Sequence, residues 1–201
     1  MEGAMSETPP RPIRLLLLDD ERLILVTLGG GLRKAGFHVQ TAESVQEAEM
    51  LLSGAERPDL AILDVSLPDR SGLEFAQRLR ELDRSPFIML SAYSEPEMVE
   101  QATQAGALGY LVKPIDFVQL VPEVRAALAR AGELQDLRDK REQLQQALDN
   151  ERDISVAVGL LMAQRRIPRQ SAFEVLRQSA RQQRRRIVQV ALDLIREIEQ
   201  P

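Results

Sequence analysis

Five polar residues of the sequence each end or follow a short apolar run, and together they offer carboxylate, hydroxyl and ammonium groups: Asp19, Asp20, Asp64, Ser91 and Lys113. Carboxylates packed together need a counter-ion, because each disfavours the charge on its neighbour. Oxygen ligands without His or Cys suit a hard cation, and Mg²⁺ is the natural choice. The hydroxyl and the ammonium would then face an anion, and a phosphoryl group on a carboxylate fits this chemistry. The five residues therefore predict a magnesium-dependent phosphorylation site, provided that the fold gathers them.

The apolar runs alternate with segments of helical spacing, and this alternation indicates how the five residues are positioned. Candidate strands occur in IRLLLLDD, FHVQTA, DLAILDVSL, FIMLSA and LGYLVKP, and a helical pattern follows each of them. The alternation predicts an α/β fold with a five-stranded, doubly wound parallel sheet and helices on both faces. Ligands bind such sheets beyond the carboxyl ends of the strands, where these residues fall. Any one of them alone could cap a helix or lie in a solvated loop, but five together favour a site.

The first helical segment, ERLILVTLGGGLRKAG, predicts a buried face and contains an anomaly. Three consecutive glycines occupy positions 29–31, and each costs about 1 kcal/mol in a helix interior relative to Ala. Nothing in the sequence explains them. The residues that helical spacing places on one apolar face are Leu23, Val26, Thr27 and Leu32.

Residues 13–130 resemble the receiver domain of bacterial two-component response regulators. The motifs that carry the resemblance are LLLLDDE, AILDVSLPDRSGLE, IMLSA and GALGYLVKP. The resemblance implies a flavodoxin-like fold and phosphorylation of Asp64 by a histidine kinase. It also implies a set of Mg²⁺ ligands: Asp19, Asp20, Asp64 and the backbone carbonyl of Ser66.

The same resemblance implies roles for the residues around the phosphorylated carboxylate. Ser91 and Lys113 match the switch hydroxyl and the lysine that bind the phosphoryl group, and Tyr110 matches the aromatic residue that reorients on activation. A cis peptide bond is expected between Lys113 and Pro114. Because every motif position is filled, the resemblance implies a receiver that is phosphorylated rather than a degenerate one.

The helical pattern that starts near Phe117 continues beyond residue 130. It favours a parallel dimer seam, although Arg141 and Glu151 interrupt the heptads, and a single solvated helix between two domains is the alternative. We therefore predict a helical coiled-coil linker at residues 131–152, with Gly132 as the joint between two helices. The leucines at heptad a and d positions are Leu134, Leu137, Leu144 and Leu148.

Charge is distributed unevenly along the chain. The formal net charge is −5, yet residues 154–190 contain eight basic residues and one acidic residue, Glu174. A merely soluble surface mixes the two signs, so this segment indicates a polyanionic partner. The eight basic residues are Arg165, Arg166, Arg169, Arg177, Arg181, Arg184, Arg185 and Arg186.

Three short amphipathic segments follow the linker and predict a small all-α three-helix bundle. Gly159 lies inside the first segment and predicts the close approach of another element. The third segment has an apolar stripe from Ile187 to Ile195. The apolar face of the second segment consists of Ala172, Phe173, Leu176 and Ala180.

Residues 134–195 resemble the ANTAR domain, an RNA-binding module of transcription antitermination regulators. AVGLLM, SAFEVLRQSA and IVQVALDLI carry the resemblance, while Val158 stands where the family usually has Lys. The resemblance implies that the basic bundle binds RNA stem-loops, with the eight arginines as the candidate contacts. No helix presents the polar face with which a helix-turn-helix protein reads the DNA major groove.

Together these features predict a response regulator that is phosphorylated on Asp64, dimerises, and binds leader-RNA stem-loops so that a terminator cannot form. A DNA-binding or protein-binding output domain is the alternative. An enzyme is not expected, because no further cleft residues indicate turnover. The absence of Cys, of a signal peptide and of a membrane-length apolar run predicts a cytoplasmic protein without membrane contact. The polar residues 1–12 are expected to form a disordered tail.

Overall fold

The computed structural model describes residues 11–54, 57–68, 71–83 and 85–199 of the 201-residue chain. Contacts divide the chain into two compact units, Met1–Leu134 and Gln135–Pro201, which are called unit 1 and unit 2 below. The expected tail at residues 1–12 falls almost entirely outside the described residues, which begin at residue 11.

A five-stranded parallel sheet with the strand order β2-β1-β3-β4-β5 forms the centre of unit 1. This order is the flavodoxin-like one, so the predicted doubly wound sheet is confirmed. The strands are β1 (Arg14–Leu18), β2 (His38–Ala42), β3 (Leu60–Asp64), β4 (Phe87–Ser91) and β5 (Tyr110–Val112).

Helices cover both faces of this sheet, because successive side chains of a buried strand point to opposite sides. Leu15 and Leu17 of β1 pack with the first helix and the beginning of the fifth, whereas Leu16 and Leu18 pack with the second, third and fourth. All four leucines are at most 1% exposed. The helices are α1 (Arg22–Lys34), α2 (Val45–Leu52), α3 (Gly72–Arg78, continued by a π-helical segment, Leu79–Asp83), α4 (Pro96–Ala105) and α5, which begins at Phe117.

The buried face of α1 differs from the prediction. Leu23 and Val26 are 74% and 71% exposed, and the side that faces the sheet carries Leu25, Leu28 and Leu32. The prediction was right for Leu32 but wrong for Leu23, Val26 and Thr27. LILVTL is apolar at nearly every position, so helical spacing alone does not select one side. The structure explains one of the three consecutive glycines. A Cβ at Gly31 would lie 2.3 Å from the Cβ of Phe117, so no larger residue fits there.

Three helical segments make up unit 2: the end of α5 (Phe117–Arg165), α6 (Arg169–Gln183) and α7 (Ile187–Glu199). The predicted joint at Gly132 is wrong, because α5 continues through that residue without a break. Within the described part of the chain, no helix is both long enough and apolar enough to cross a membrane.

Small and aliphatic side chains from all three helices form the core of unit 2, with Ala157 and Val158 from α5, Leu176 from α6 and Ala191 from α7 among them. The predicted stripe of α7 is confirmed, since its apolar residues pack in this core. Two other expectations are wrong. No atom lies within 4 Å of a Cβ built on Gly159, and Phe173 is 39% exposed rather than part of the apolar face of α6.

Candidate functional site

Three carboxylates meet at the carboxyl ends of two adjacent strands of the sheet. Asp19 follows β1 and Asp64 ends β3, and these strands are paired in register at Leu18 and Leu63. Asp19 and Asp64 are 0% and 3% exposed, whereas Asp20 is exposed. One oxygen from each of the three lies within 4.8 Å of the others. The sheet therefore brings together the acidic residues that the sequence separates by more than forty positions.

Lys113, just beyond β5, reaches into this acidic cluster. Its Nζ lies 2.7 Å from Asp19 Oδ2, 2.9 Å from Asp64 Oδ2 and 3.4 Å from Glu21 Oε1. Its backbone N–H donates to the carbonyl of Ser91 at 2.7 Å, which fixes the chain at this edge of the sheet. The expected cis peptide bond between Lys113 and Pro114 is present.

Burial and charge pairing shift the pKa values of two of these groups. Burial raises the pKa of the Asp19 carboxyl above its ordinary value, and the Lys113 ammonium and the Glu21 N–H offset this effect only in part. Burial acts to lower the pKa of Lys113, but its pairing with Asp19 and Asp64 outweighs burial and raises that pKa. Lys113 therefore remains protonated at neutral pH and places one positive charge among three carboxylates.

The donor set at this cluster fits a hard divalent cation. Asp19 Oδ1 accepts a hydrogen bond from the Glu21 N–H at 3.0 Å, and the Lys113 ammonium is the partner of the buried Asp19 Oδ2 at 2.7 Å. Asp64 Oδ1 accepts from the Ser66 N–H at 3.2 Å, so Ser66 lies directly beside the cluster. Oxygen ligands alone, with buried carboxylates among them, are the donors that Mg²⁺ prefers.

Two further residues of the predicted site are linked through a residue that sequence analysis missed. The Ser91 side chain is buried at the end of β4, and its Oγ accepts a hydrogen bond from the Tyr93 N–H at 3.0 Å. The Tyr110 hydroxyl donates to the Tyr93 carbonyl at 2.9 Å. The backbone of Tyr93 therefore connects the buried hydroxyl to the aromatic side chain of β5. The residue type at position 93 could not predict this link, because only the backbone atoms of Tyr93 form the two hydrogen bonds.

Gly72 is a second residue whose importance sequence analysis missed. A Cβ at this position would lie 1.8 Å from the carbonyl oxygen of Asp64, and the Gly72 N–H donates to the Val65 carbonyl at 3.1 Å. The beginning of α3 thus packs directly on the backbone of Asp64. A glycine immediately after the N-cap Ser71 was the available signal for this contact.

The basic residues of unit 2 lie mainly on its surface. Seven of the eight arginines are exposed, and Arg177 is half-buried. Arg177 pairs with Glu174 at 3.0 Å, and Arg185 pairs with Asp193 at 2.7 Å. The other six form no ion pair with any described residue, so their charges face solvent without neutralisation.

Two of these arginines have a backbone conformation that favours glycine. Arg166, after α5, has φ of 52° and Arg184, after α6, has φ of 53°. At Arg184 the helix ends in a Schellman motif, in which its N–H donates to the Arg181 carbonyl and the Arg185 N–H donates to the Ala180 carbonyl. Glycine is the usual residue at this position, because a side chain strains the left-handed conformation. Both turns thus carry a guanidinium where glycine would be more stable.

Two family models match separate parts of the chain. The response regulator receiver domain matches residues 15–125, which contain the acidic cluster and Lys113. The ANTAR domain matches residues 142–195, which contain all eight arginines.

Similar proteins span the whole chain or its first part. Transcriptional regulatory protein PdtaR of Mycobacterium tuberculosis is 30% identical over 187 residues, covering 92% of this chain and 91% of that protein. Transcriptional regulatory protein PrrA of the same species is 41% identical over 121 residues, covering 59% of this chain and 51% of that protein. Among solved structures, the chemotaxis response regulator CheY4 of Vibrio cholerae aligns with a TM-score of 0.54 and 29% identity, covering 58% of this chain and 98% of that one.

Proposed function

Because the chain belongs to the response regulators that join a receiver domain to an ANTAR domain, we propose that it is a phosphorylation-controlled, RNA-binding antitermination regulator. Asp64 is the phosphoacceptor in this proposal. The observation that carries it is the position of Asp64, buried at the edge of the sheet beside two other carboxylates and 2.9 Å from the Lys113 ammonium. We further propose that residues 13–130 form the receiver, 131–152 a coiled-coil linker, and 134–195 the ANTAR domain.

The proposed reaction is transfer of a phosphoryl group from a histidine kinase to Asp64. A P–O bond forms to a carboxylate oxygen of Asp64 as the P–N bond of the phosphohistidine breaks, and the imidazole nitrogen keeps the bonding electron pair. Mg²⁺, held by Asp19, Asp20, Asp64 and the Ser66 carbonyl, would neutralise charge on the phosphoryl oxygens. Lys113 provides the second positive charge, because its raised pKa keeps it protonated.

The proposed switch follows from the hydrogen bonds around Ser91. Its hydroxyl accepts from the Tyr93 N–H in this structure. In the phosphorylated protein the hydroxyl would donate to a phosphoryl oxygen on Asp64, which moves Ser91 Oγ toward that residue. The backbone of Tyr93 would move with it, and so would the Tyr110 hydroxyl that it holds. A change at the carboxylate thereby reaches an outer surface of the receiver.

The proposed output depends on joining two copies of the chain. The four seam leucines are 42–67% exposed, as expected for a coiled coil whose partner is a second chain. Pairing two receivers would bring two basic ANTAR domains together, and linkage of two weak sites raises their effective concentration on RNA. The predicted contacts are the eight arginines of unit 2, which would hold paired leader stem-loops and prevent a terminator from forming.

The decisive experiment has two arms. Acetyl phosphate with Mg²⁺ should add one phosphoryl group to the wild-type protein, as seen by intact mass, and none to Asp64→Asn. Equal labelling of the two would remove Asp64 from the proposal. In the second arm, phosphorylated protein should bind hairpin RNA more tightly than duplex DNA at the same salt concentration. Tight binding to DNA with none to RNA would favour the alternative output.

A further inference from the structure

A largely apolar groove of about 450 Å³ lies on the surface of unit 2, between α5 and α6. Ile154 and Val158 of α5 line it, and Arg169, Gln170 and Phe173 of α6 line its other side. Its volume is in the range of roughly 300–1,000 Å³ that is typical of small-molecule pockets. The groove is therefore large enough for a group of the size of a nucleobase.

Phe173 is the feature of the groove that core packing does not explain. It is the only aromatic residue between positions 135 and 201. Its neighbour Ala172 is fully buried, and Leu176, one turn later, is 2% exposed, whereas Phe173 is 39% exposed. The aromatic ring thus lies at the surface although the core of the unit is built from aliphatic side chains. An exposed ring at the edge of an apolar groove offers a face against which a flat ligand can stack.

The charge around the groove favours an anionic ligand. Arg169 lines it, Arg165 is the last residue of α5, and Arg166 lies in the short turn that leads to α6. These three arginines are exposed, and none of them pairs with a carboxylate of the described residues. Glu151 is the one acidic residue of the described lining and balances Arg169 there, so the positive excess near the groove comes from Arg165 and Arg166.

We propose that this groove binds one unstacked base from the loop of an RNA hairpin. Phe173 stacks on the face of the base above the floor formed by Val158, the Gln170 amide hydrogen-bonds to the base edge, and Arg169 contacts the adjoining phosphate. The proposal rests on the RNA-binding function proposed above and adds the chemistry by which a loop is selected. The proposal also gives Val158 a role. An apolar side chain at this position can contact the face of a base, whereas the Lys that the family usually has there would favour a phosphate.

A second copy of the chain is the rival occupant. Glu151 and Val158 continue the heptad positions of the seam leucines, so an extended coiled coil would cover part of the groove. A coil that continued past residue 152 would need Val158 in its seam, but that side chain is 4% exposed and packs in the core of unit 2. The two occupants differ in how conservative changes at Phe173 act, because stacking requires a ring whereas coil packing requires only an apolar side chain.

The experiment uses the full-length chain and a hairpin RNA that the wild-type protein selects from a pool with randomised loops. Phe173→Leu should weaken binding roughly 5- to 150-fold, the range for loss of one stacked base, with an unchanged salt slope. Phe173→Tyr should bind as the wild type does. Arg169→Gln should instead reduce the salt slope by about 0.7–0.9. A 2-aminopurine in the recognised loop position should change fluorescence with the wild type and with Phe173→Tyr, but not with Phe173→Leu.

The outcomes separate this inference from the function on which it rests. Failure of the wild-type protein to select any hairpin removes both. Selection of a hairpin that Phe173→Leu binds with wild-type affinity removes only the base groove. If Phe173→Leu keeps the RNA affinity and dimerisation of the wild type while Phe173→Gln lowers dimerisation in sedimentation runs without RNA, the second copy is the occupant. Thermal melts of each variant check that unit 2 is folded.

Discussion

Lys113 and Asp64 are joined across the edge of the sheet, with 2.9 Å between Nζ and Oδ2 and with side chains that are 11% and 4% exposed. The same ammonium lies 2.7 Å from Asp19 Oδ2. One lysine thus balances two buried carboxylates, and it directly follows β5, which is two strands away from β3 in the sheet. This arrangement makes the stability of the receiver depend on a charge that a metal ion or a proton can partly replace.

Lys113→Met is expected to lower the free energy of unfolding by about 3 kcal/mol at neutral pH in chelator, because the carboxylates lose their counter-charge in a buried site. Mg²⁺ should restore part of the loss. Lowering the pH should also restore part of it, because burial raises the pKa of Asp19 and protonation of that residue removes one buried negative charge. Urea denaturation measures each case. Lys34→Met, at an exposed lysine of α1, is the control and should change stability by less than about 0.5 kcal/mol. A loss in Lys113→Met that neither Mg²⁺ nor acid reduces would contradict this account.

Gly72→Ala is expected to disturb Asp64, the proposed phosphoacceptor, directly. The new Cβ would lie 1.8 Å from the Asp64 carbonyl oxygen, so α3 and the backbone of Asp64 must separate. We expect a loss of about 1–3 kcal/mol in unfolding free energy and slower labelling by acetyl phosphate. Gly30→Ala is the matched control, because nothing lies within 4 Å of its Cβ, and it should raise stability by about 0.5–1 kcal/mol. If Gly72→Ala raised the free energy of unfolding as Gly30→Ala does, the close contact between Gly72 and Asp64 would not be what requires glycine at this position.

Tyr110→Phe is expected to uncouple phosphorylation from its consequence. It removes the hydrogen bond to the Tyr93 carbonyl but leaves the acidic cluster intact. Labelling of Asp64 should match the wild type, while the gain in RNA affinity on phosphorylation should fall several-fold. Tyr93→Phe is the control, since the bonds of Tyr93 to Ser91 and Tyr110 use backbone atoms and survive the change. If phosphorylation raises the RNA affinity of Tyr110→Phe as much as that of the wild type, the proposed route from Ser91 through Tyr93 to Tyr110 is wrong.

The strand ends could be predicted from the sequence because a parallel sheet leaves little freedom there. Each short apolar run had to be a buried strand, and strands of one direction place their last residues at one edge. Asp19, Asp64 and Lys113 therefore followed from local patterns alone. The backbone link through Tyr93 did not, because the hydrogen bonds of main-chain atoms depend on which loops meet and not on residue type.

The buried faces of helices and the close contacts of glycines were harder to predict, because both depend on how the elements pack. In α1, LILVTL offered apolar residues on every side, and the sheet buried Leu25 and Leu28 rather than Leu23 and Val26. Gly31 was explained only by Phe117, which lies more than eighty residues later in the chain. Phe173 has a helical position adjacent to the apolar stripe of α6, yet it is 39% exposed. These features depend on tertiary packing, which a one-dimensional pattern does not contain.

Arg184→Gly is expected to stabilise unit 2 while it weakens RNA binding. Glycine relieves the left-handed strain at the end of α6, which should raise stability by about 1 kcal/mol. Loss of one phosphate contact should reduce the salt slope of RNA binding by about 0.7–0.9. Arg181→Gly removes the same charge from the last turn of α6, where the backbone is still helical, and should instead lower stability by about 0.5–1 kcal/mol. Opposite effects on the melting temperature, with similar effects on the salt slope, are the expected pattern. If Arg184→Gly leaves RNA affinity unchanged, this arginine is not a contact.

Leu144→Glu is expected to prevent dimerisation without unfolding either unit. Leu144 is 67% exposed within one chain, so a charge there costs little in the monomer, but at a d position of a dimer it would bury a carboxylate against its own copy. Gln146→Glu adds the same charge at an exposed position two residues away and outside the seam. Sedimentation of the phosphorylated proteins should give a monomer for Leu144→Glu and a dimer for Gln146→Glu. RNA with two tandem hairpins should lose its advantage over a single hairpin only for Leu144→Glu, because the advantage comes from two linked sites. If phosphorylated Leu144→Glu still dimerises, the receivers pair without the coil and residues 131–152 form a solvated helix instead.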